Sequence, residues 1–267
     1  MLAATGQIDA VPILISAAEF NAVSGSLENK IVSSMGCVPF EGAPTAIVVR
    51  KDLAQSGQVR TAADLKGRKM GLVMGATGGQ AYELALVLRE VGLRLKDVFI
   101  VTFQTGAETL AALKAGSIDA AYFSTPGKEE VVQQGIGVVL SPAKKPGHCA
   151  VGTVFGAKFI SERPEQARAV MVSLVRAARD IQGGRFKTED NLAILSKYTK
   201  LPVETVRAAD VSYFPPDLAP DVDTVLDMQS VYMAEGLLTY STPLRADQLI
   251  DGSFAKYAAE KLGPYKA

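Results

Sequence analysis

Residues 113–120 read Leu113-Lys114-Ala115-Gly116-Ser117-Ile118-Asp119-Ala120, and the chain opens on a close copy, Leu2-Ala3-Ala4-Thr5-Gly6-Gln7-Ile8-Asp9-Ala10. Both carry a leucine, then a glycine, one polar residue and Ile-Asp-Ala. The order has a physical reading: the last turn of a helix, a glycine able to take positive φ as its stop, then a short buried strand. An apolar or aromatic stretch and a further helix follow each copy, 11–15 into 16–23 and 121–123 into 127–134. Two such units predict two similarly built α/β lobes. The aspartate of each copy is expected to anchor a turn.

Between the copies, strand and helix patterns alternate. Residues 43–49 are a β-rich run, 61–67 a short helical turn stopped by Gly67, and 69–74 an apolar strand. The helix predicted over 80–91 places Tyr82, Leu84, Ala85, Leu88 and Val91 near helical spacing. A strand over 98–103 and a helix over 107–115 lead into the second copy. This alternation predicts parallel sheets with helical crossovers. Residues 150–157 read as one more strand, followed by helices over 164–181, 189–198, 203–209, 221–235 and 253–262, with Pro202, Pro215-Pro216, Pro220 and Pro243 as punctuation.

Composition excludes several classes. The 267 residues carry 28 basic and 28 acidic side chains, and the longest basic pair is Lys144-Lys145, so a nucleic-acid partner is disfavoured. No apolar run approaches the roughly 18 residues of a membrane span. Two cysteines and one histidine are too few for a zinc site, and no metal or cofactor is expected. Cys37 and Cys149 read as buried thiols, although an oxidising compartment would let them pair.

The strand–loop–helix over 70–82 is the most informative local feature. Glycines in Gly75-Ala76-Thr77-Gly78-Gly79 let backbone approach a ligand, and the free N–H groups of the next helix attract a negative or carbonyl-bearing group. No Gly-Lys-Ser/Thr follows and the spacing misses the dinucleotide fingerprint, so a nucleotide site is not expected. Nucleophilic catalysis has little support: any triad would need His148, which reads as a structural or surface residue. Glu129-Glu130 reads as solvated. The aromatic pairs Tyr122-Phe123 and Tyr213-Phe214 are either ligand contacts or core; the first lies at the C-terminal end of a strand, where open α/β sheets place ligands.

Taken in order, the first copy Leu-x-x-x-Gly-x-Ile-Asp-Ala, the run 46–53, Asp64-Leu65-Lys66-Gly67-Arg68-Lys69-Met70-Gly71, the glycine loop, the second copy Leu-x-x-Gly-x-Ile-Asp-Ala and the tail 249–254 resemble the solute-binding proteins of the nitrate, sulfonate and taurine ABC importers. That family also includes binders of thiamine pyrimidine precursors. The resemblance implies a two-lobed, periplasmic-binding-protein-like (type II) α/β fold with two crossing strands, placed here over 43–49 and 150–157. Lobe 1 then comprises 1–47 and 154–267, and lobe 2 comprises 48–153. A small organic solute, sulfonate-, aromatic acid- or pyrimidine-like, would sit between the lobes and closure would signal to permease subunits. Expected contacts are Pro12, Ile13, Leu14 and Ser16 from lobe 1, Ala76, Thr77, Gly78, Gly79, Gln80, Tyr122 and Ser124 from lobe 2, with Thr153 and Phe214 completing the site. These loops hold no Arg or Lys, which disfavours a bare inorganic anion.

Family members normally place a strand, a helix and a strand before the first Gly-x-Ile-Asp-Ala unit, whereas here the copy that carries it starts at Leu2. The expectation is a chain beginning inside lobe 1 of a longer parent, which is exported to the periplasm or anchored outside the cytoplasmic membrane, the signal itself being absent from this stretch. Uncovered sheet edges would favour self-association. The rival expectation is an enzyme on the same fold, of the menaquinone-pathway type, acting on a small organic acid.

Overall fold

The computed structural model describes residue 3, residues 5–142 and residues 146–266; Leu2 and Ala4 of the first repeat and the Lys144-Lys145 pair lie outside the described residues. Strands β1 (Ala10–Leu14), β2 (Lys30–Ser34) and β8 (Val151–Phe155) form a small sheet in the order β1-β8-β2. Strands β3 (Thr45–Arg50), β4 (Lys69–Val73), β5 (Phe99–Phe103), β6 (Ala120–Ser124) and β7 (Gly137–Pro142) form a larger one in the order β5-β4-β6-β3-β7. The first helices are α1 (Ala17–Ser24), α2 (Lys51–Gln55), α3 (Gly79–Arg89), α4 (Gly106–Lys114), α5 (Gly127–Gln133) and α6 (Ala157–Glu162). After them come α7 (Pro164–Asp180), α8 (Glu189–Thr199), α9 (Val203–Ala208), α10 (Val222–Ala234), α11 (Ala246–Leu249) and α12 (Ser253–Leu262).

From the glycine onward the two copies of the repeated unit turn alike into a strand. Gly6 and Gly116 take φ of 72° and 73°, and the alanines that close the two copies, Ala10 and Ala120, begin β1 and β6. Both aspartates anchor chain. Asp119 accepts the Lys69 amide at 3.0 Å where β4 starts, and Asp9 pairs with Arg163 ahead of α7.

Strand alternation sorts the core into faces. Val32 and Phe155 of the small sheet cluster with Met171, Val175 and Phe254 of α7 and α12. Their neighbours Ile31 and Val154 face the other way, among Phe20 and Leu249. In the larger sheet Val48, Ala121 and Phe123 pack with Leu113 and Val131, whereas Ile47, Val49, Ala120 and Tyr122 join Leu84 and Leu88 of α3. The two inner faces share one continuous cluster, to which α10 adds Met228, Val231 and Tyr232. The lobes are therefore held by packed core as well as by covalent crossings.

Two expectations are corrected. The sheets are not parallel throughout: β4 runs parallel to β5 and β6, but β3 is antiparallel to β6 and β7, and the small sheet is wholly antiparallel. The reason is that β3 and β8 enter from the other sheet and follow no helical crossover of their own. Cys37 and Cys149, read as thiols, form a disulfide across 112 positions. Backbone bonds flank it, Cys37 N–H to the Tyr213 carbonyl at 2.7 Å and Val38 N–H to the His148 carbonyl at 2.9 Å. The bridge thus clamps the exit of β2 to the entry of β8. Replacing both cysteines by alanine is expected to lower the unfolding free energy by about 2–5 kcal/mol, as for other long closed loops. Urea denaturation reads this, and an unchanged midpoint and slope would contradict it.

Candidate functional site

Two chambers, the inner one between the sheets and the outer one between the larger sheet and the C-terminal helices, share Pro44, Thr45, Ser124 and Ser212, which makes them one cleft. The inner chamber, about 240 Å³, is walled by Leu14 from the end of β1, Gln80 and Glu83 from α3, Tyr122 from β6, and His148 and Ala150 ahead of β8. The outer chamber, about 390 Å³, is walled chiefly by Ile181, Phe186, Leu195, Leu201, Val206 and Phe214. One end of the cleft is polar and the other apolar.

The approach to α3 explains how Gln80 and Glu83 reach the chamber. Met74 and Gly75 take φ of 61° and 63°, turning the chain sharply off β4, and the backbone amide of Val73 donates to Gln80 Oε1 at 2.7 Å. That bond orients the side-chain amide so that its NH₂ is the end left for a ligand. Glu83 follows one helical turn later on the same face. Gly79, at the first position of α3, abuts Leu14: a methyl group there would run into the leucine side chain. The tip of β1 and the start of α3 thereby close one side of the inner chamber.

His148 is buried and stacks on Tyr82, with ring centroids 5.5 Å apart and planes 19° apart. Its Nδ1 lies 3.0 Å from Thr224 Oγ1, and the Thr224 hydroxyl donates in turn to Asp221 Oδ2. With the threonine proton committed to Asp221, Nδ1 is the donor to Thr224. Tyr82 fixes the other side of the stack through a 2.7 Å bond from its hydroxyl to Asp227. Burial first, and that bond second, push the Tyr82 phenol well above its ordinary range. Tyr122 is raised likewise, by burial and then by the charge of Glu83.

Glu83 is 9% exposed and makes no hydrogen bond or ion pair with a described residue. Burial pushes its carboxyl from 4.5 up to about 7. Because the folded protein then holds this proton to higher pH than the unfolded chain, stability falls as pH rises from about 4.5 to 7 and is flat beyond. The penalty at alkaline pH is on the order of 3 kcal/mol. Glu83→Gln should abolish it, raising the melting temperature over the parent at pH 8 and leaving it little changed at pH 4.5. Thermal melts across this range are the check, and parallel curves would refute the assignment.

The sequence-predicted residues are distributed unevenly. Leu14, Gln80, Tyr122 and Ser124 line the inner chamber, and Ser124 and Phe214 the outer. The remainder line neither chamber. Ala76, Thr77 and Gly78 form the turn into α3, with Gly79 behind Leu14. Pro12 and Ile13 run along β1, and Ser16 caps α1 by binding Glu19. Thr153 is buried, with its hydroxyl 2.9 Å from Met35 Sδ. His148, expected to be structural or superficial, is buried and also faces the cleft. Glu83, Thr45 and Ser212 were not anticipated; for Glu83 the usable signal was its spacing of one helical turn from Gln80.

The family model described as NMT1-like family matches residues 1–196. The chain belongs to that family. Among solved structures, this NMT1-like chain is similar to the alkanesulfonate-binding protein SsuA from Xanthomonas axonopodis pv. citri bound to MOPS (TM-score 0.72, 19% identity, 90% of this chain and 79% of that one). It is also similar to the periplasmic nitrate-binding protein NrtA from Synechocystis PCC 6803 (TM-score 0.77, 17% identity, 96% and 74%). The desulfurization enzyme DSZB shares the fold as well (TM-score 0.58, 15% identity, 88% and 80%). No curated protein sequence matches the chain.

Proposed function

We propose that this chain is the solute-binding component of an ABC importer, which takes a small organic molecule into the cleft between its lobes and delivers it to membrane permease subunits without transforming it. The observation that carries this reading is the cleft: two connected chambers, the inner one between two separately built sheets, with walls from both lobes. The likeness in fold to sulfonate- and nitrate-binding proteins supports it. In this reading lobe 1 comprises 1–47 and 154–267 and lobe 2 comprises 48–153. Leu14, Gln80, Tyr122, Ser124 and Phe214 are the ligand contacts drawn from the expected set, joined by Glu83 and His148. The Cys37–Cys149 disulfide fits an extracytoplasmic, oxidising compartment. The edge strand β1, which pairs with β8 alone among the described strands, is the place where a second copy would add if the protein self-associates.

A second reading has one specific observation in its favour. The His148–Thr224–Asp221 chain of hydrogen bonds presents an oriented imidazole at the inner chamber, on a fold that a desulfurization enzyme also uses. On this reading His148 is a general base. Calorimetry with a panel of small aromatic and aliphatic solutes, followed by mass spectrometry of the recovered ligand, separates the two. A transporter component returns the ligand intact, and His148→Gln then alters affinity only. Product that forms with the parent and disappears with His148→Gln would establish the enzyme.

A further inference from the structure

The charge of the cleft runs against that of the ligands named for its structural relatives. Among the described residues, the side chains lining the two chambers include two acids, Glu83 and Asp210, and no lysine or arginine. Asp210 is compensated: Lys128 Nζ stands 3.0 Å from its Oδ2 and the Ala43 amide donates to the same oxygen at 3.3 Å. Lys128 is itself occupied, bonding also to the Ala43 carbonyl and to Glu129. Glu83 has no such neighbour. It is a nine-tenths buried carboxyl at the wall of a polar chamber, without a partner among the described residues.

We infer that the ligand of this cleft is a nitrogenous organic base, an amine or amidine carrying an apolar body, whose positive head pairs with Glu83 while its body fills the outer chamber. The inference rests on the solute-binding reading of the cleft. A buried carboxylate without a partner is costly, and a cation brought within hydrogen-bond distance removes that cost by restoring a charge-assisted pair. Among the described residues, an anionic head in the same place would face Glu83 with neutral donors such as the Gln80 NH₂ and the Ser124 and Ser212 hydroxyls to hold it. The outer chamber accounts for the body: Ile181, Phe186, Leu195 and Phe214 offer apolar wall and no fixed charge of their own.

The ionisable groups that face Glu83 agree in sign. Tyr122 from β6 and Tyr232 from α10 are phenols held neutral by burial, and Tyr82 beside it on α3 is engaged with Asp227. Glu19 of α1 adds negative charge near Tyr232, and the Arg89–Asp227 pair lies on the exposed side of the α3–α10 seam. His148 adds an imidazole to the chamber wall, stacked on Tyr82. Protonation of Glu83 weakens the hold on a cation, so affinity for a base rises with pH across the neutral range.

Three probes with one ring and three heads make the test: benzamidine, benzoate and benzenesulfonate, measured by isothermal titration calorimetry on the parent chain and on Glu83→Gln. Benzamidine should bind the parent at pH 8 at least about tenfold more tightly than either anion. Its affinity should fall by a similar factor in Glu83→Gln, and fall in the parent between pH 8 and pH 5.5. Below neutral pH, heats in buffers of different ionisation enthalpy should report proton release on binding, a reading independent of the variant. Anions binding more tightly than benzamidine, or benzamidine indifferent to both Glu83→Gln and pH, would overturn the ligand class and leave the cleft as a binding site. If none of the three binds at millimolar concentration, the ligand class is overturned, while the solute-binding reading is decided separately by the wider panel of aromatic and aliphatic solutes.

Discussion

Tyr82 is fully buried, yet both its ring face and its hydroxyl are engaged by parts of the chain far from it in sequence. The ring stacks on His148 and packs at 6.2 Å from Tyr232, and the hydroxyl reaches Asp227 on α10. Tyr232 in turn meets Phe20 of α1 edge to face at 5.8 Å and donates to the Ile15 carbonyl. These contacts join α3, beside the larger sheet, to α1 and α10 beside the smaller one. Each aromatic pair contributes about 0.5–1.5 kcal/mol beyond the area it buries. The larger effect is geometric, because one helix, α3, both belongs to this seam and carries Gln80 and Glu83 into the cleft. Displacing Tyr82 would move the lobe contact and the chamber wall together.

The floor of the cleft depends on a second constraint. Cys37, Val38, His148 and Ser212 all border the inner chamber, and the disulfide with its flanking backbone bonds locks their segments side by side. His148 therefore owes its position to both neighbours in sequence, Gly147 through the Val38 carbonyl and Cys149 through the bridge. A side chain fixed in this way loses little entropy when a ligand arrives, which is the condition for a preorganised site. The Asp221 carboxylate completes the arrangement by holding the Thr224 hydroxyl on one side and the Cys149 amide at 3.3 Å on the other.

Much of the fold was legible because the relevant signals are local. Gly116 and Gly6 mark their turns by positive φ, and α7 shows its buried stripe as Ala167, Met171, Val175 and Ala178 at helical spacing. Two strands, β2 and β7, escaped. β2 carries Ser33 and Ser34 at buried positions, so its polarity hides its burial, and the Asp221 amide accounts for one of them by donating to Ser34 Oγ at 2.7 Å. Strand direction was misjudged because it depends on which sheet a crossing segment joins, a long-range fact. The site divides along the same line. Gln80 and Tyr122 sit at strand–helix boundaries, where position alone predicts a ligand wall, whereas Glu83 and His148 are recognisable only once packing has buried one and stacked the other.

Fold kinship and ligand choice are governed by different parts of this molecule. The sheets, the shared inner core and the crossing strands determine that a cleft exists between two walls, and they are what a TM-score of 0.72 or 0.77 measures at 17–19% identity. The sign of charge within that cleft comes from a handful of side chains on α3, β6 and the loop before β8, none of which the framework requires. Position 83 shows the independence most plainly. Glu83 lies on the buried face of α3, where an apolar residue would serve packing better, and its ionisation opposes folding. A residue retained against the interest of stability at the wall of a cavity is accounted for by what enters the cavity, and a lone carboxyl among phenols and amides is suited to a positive charge.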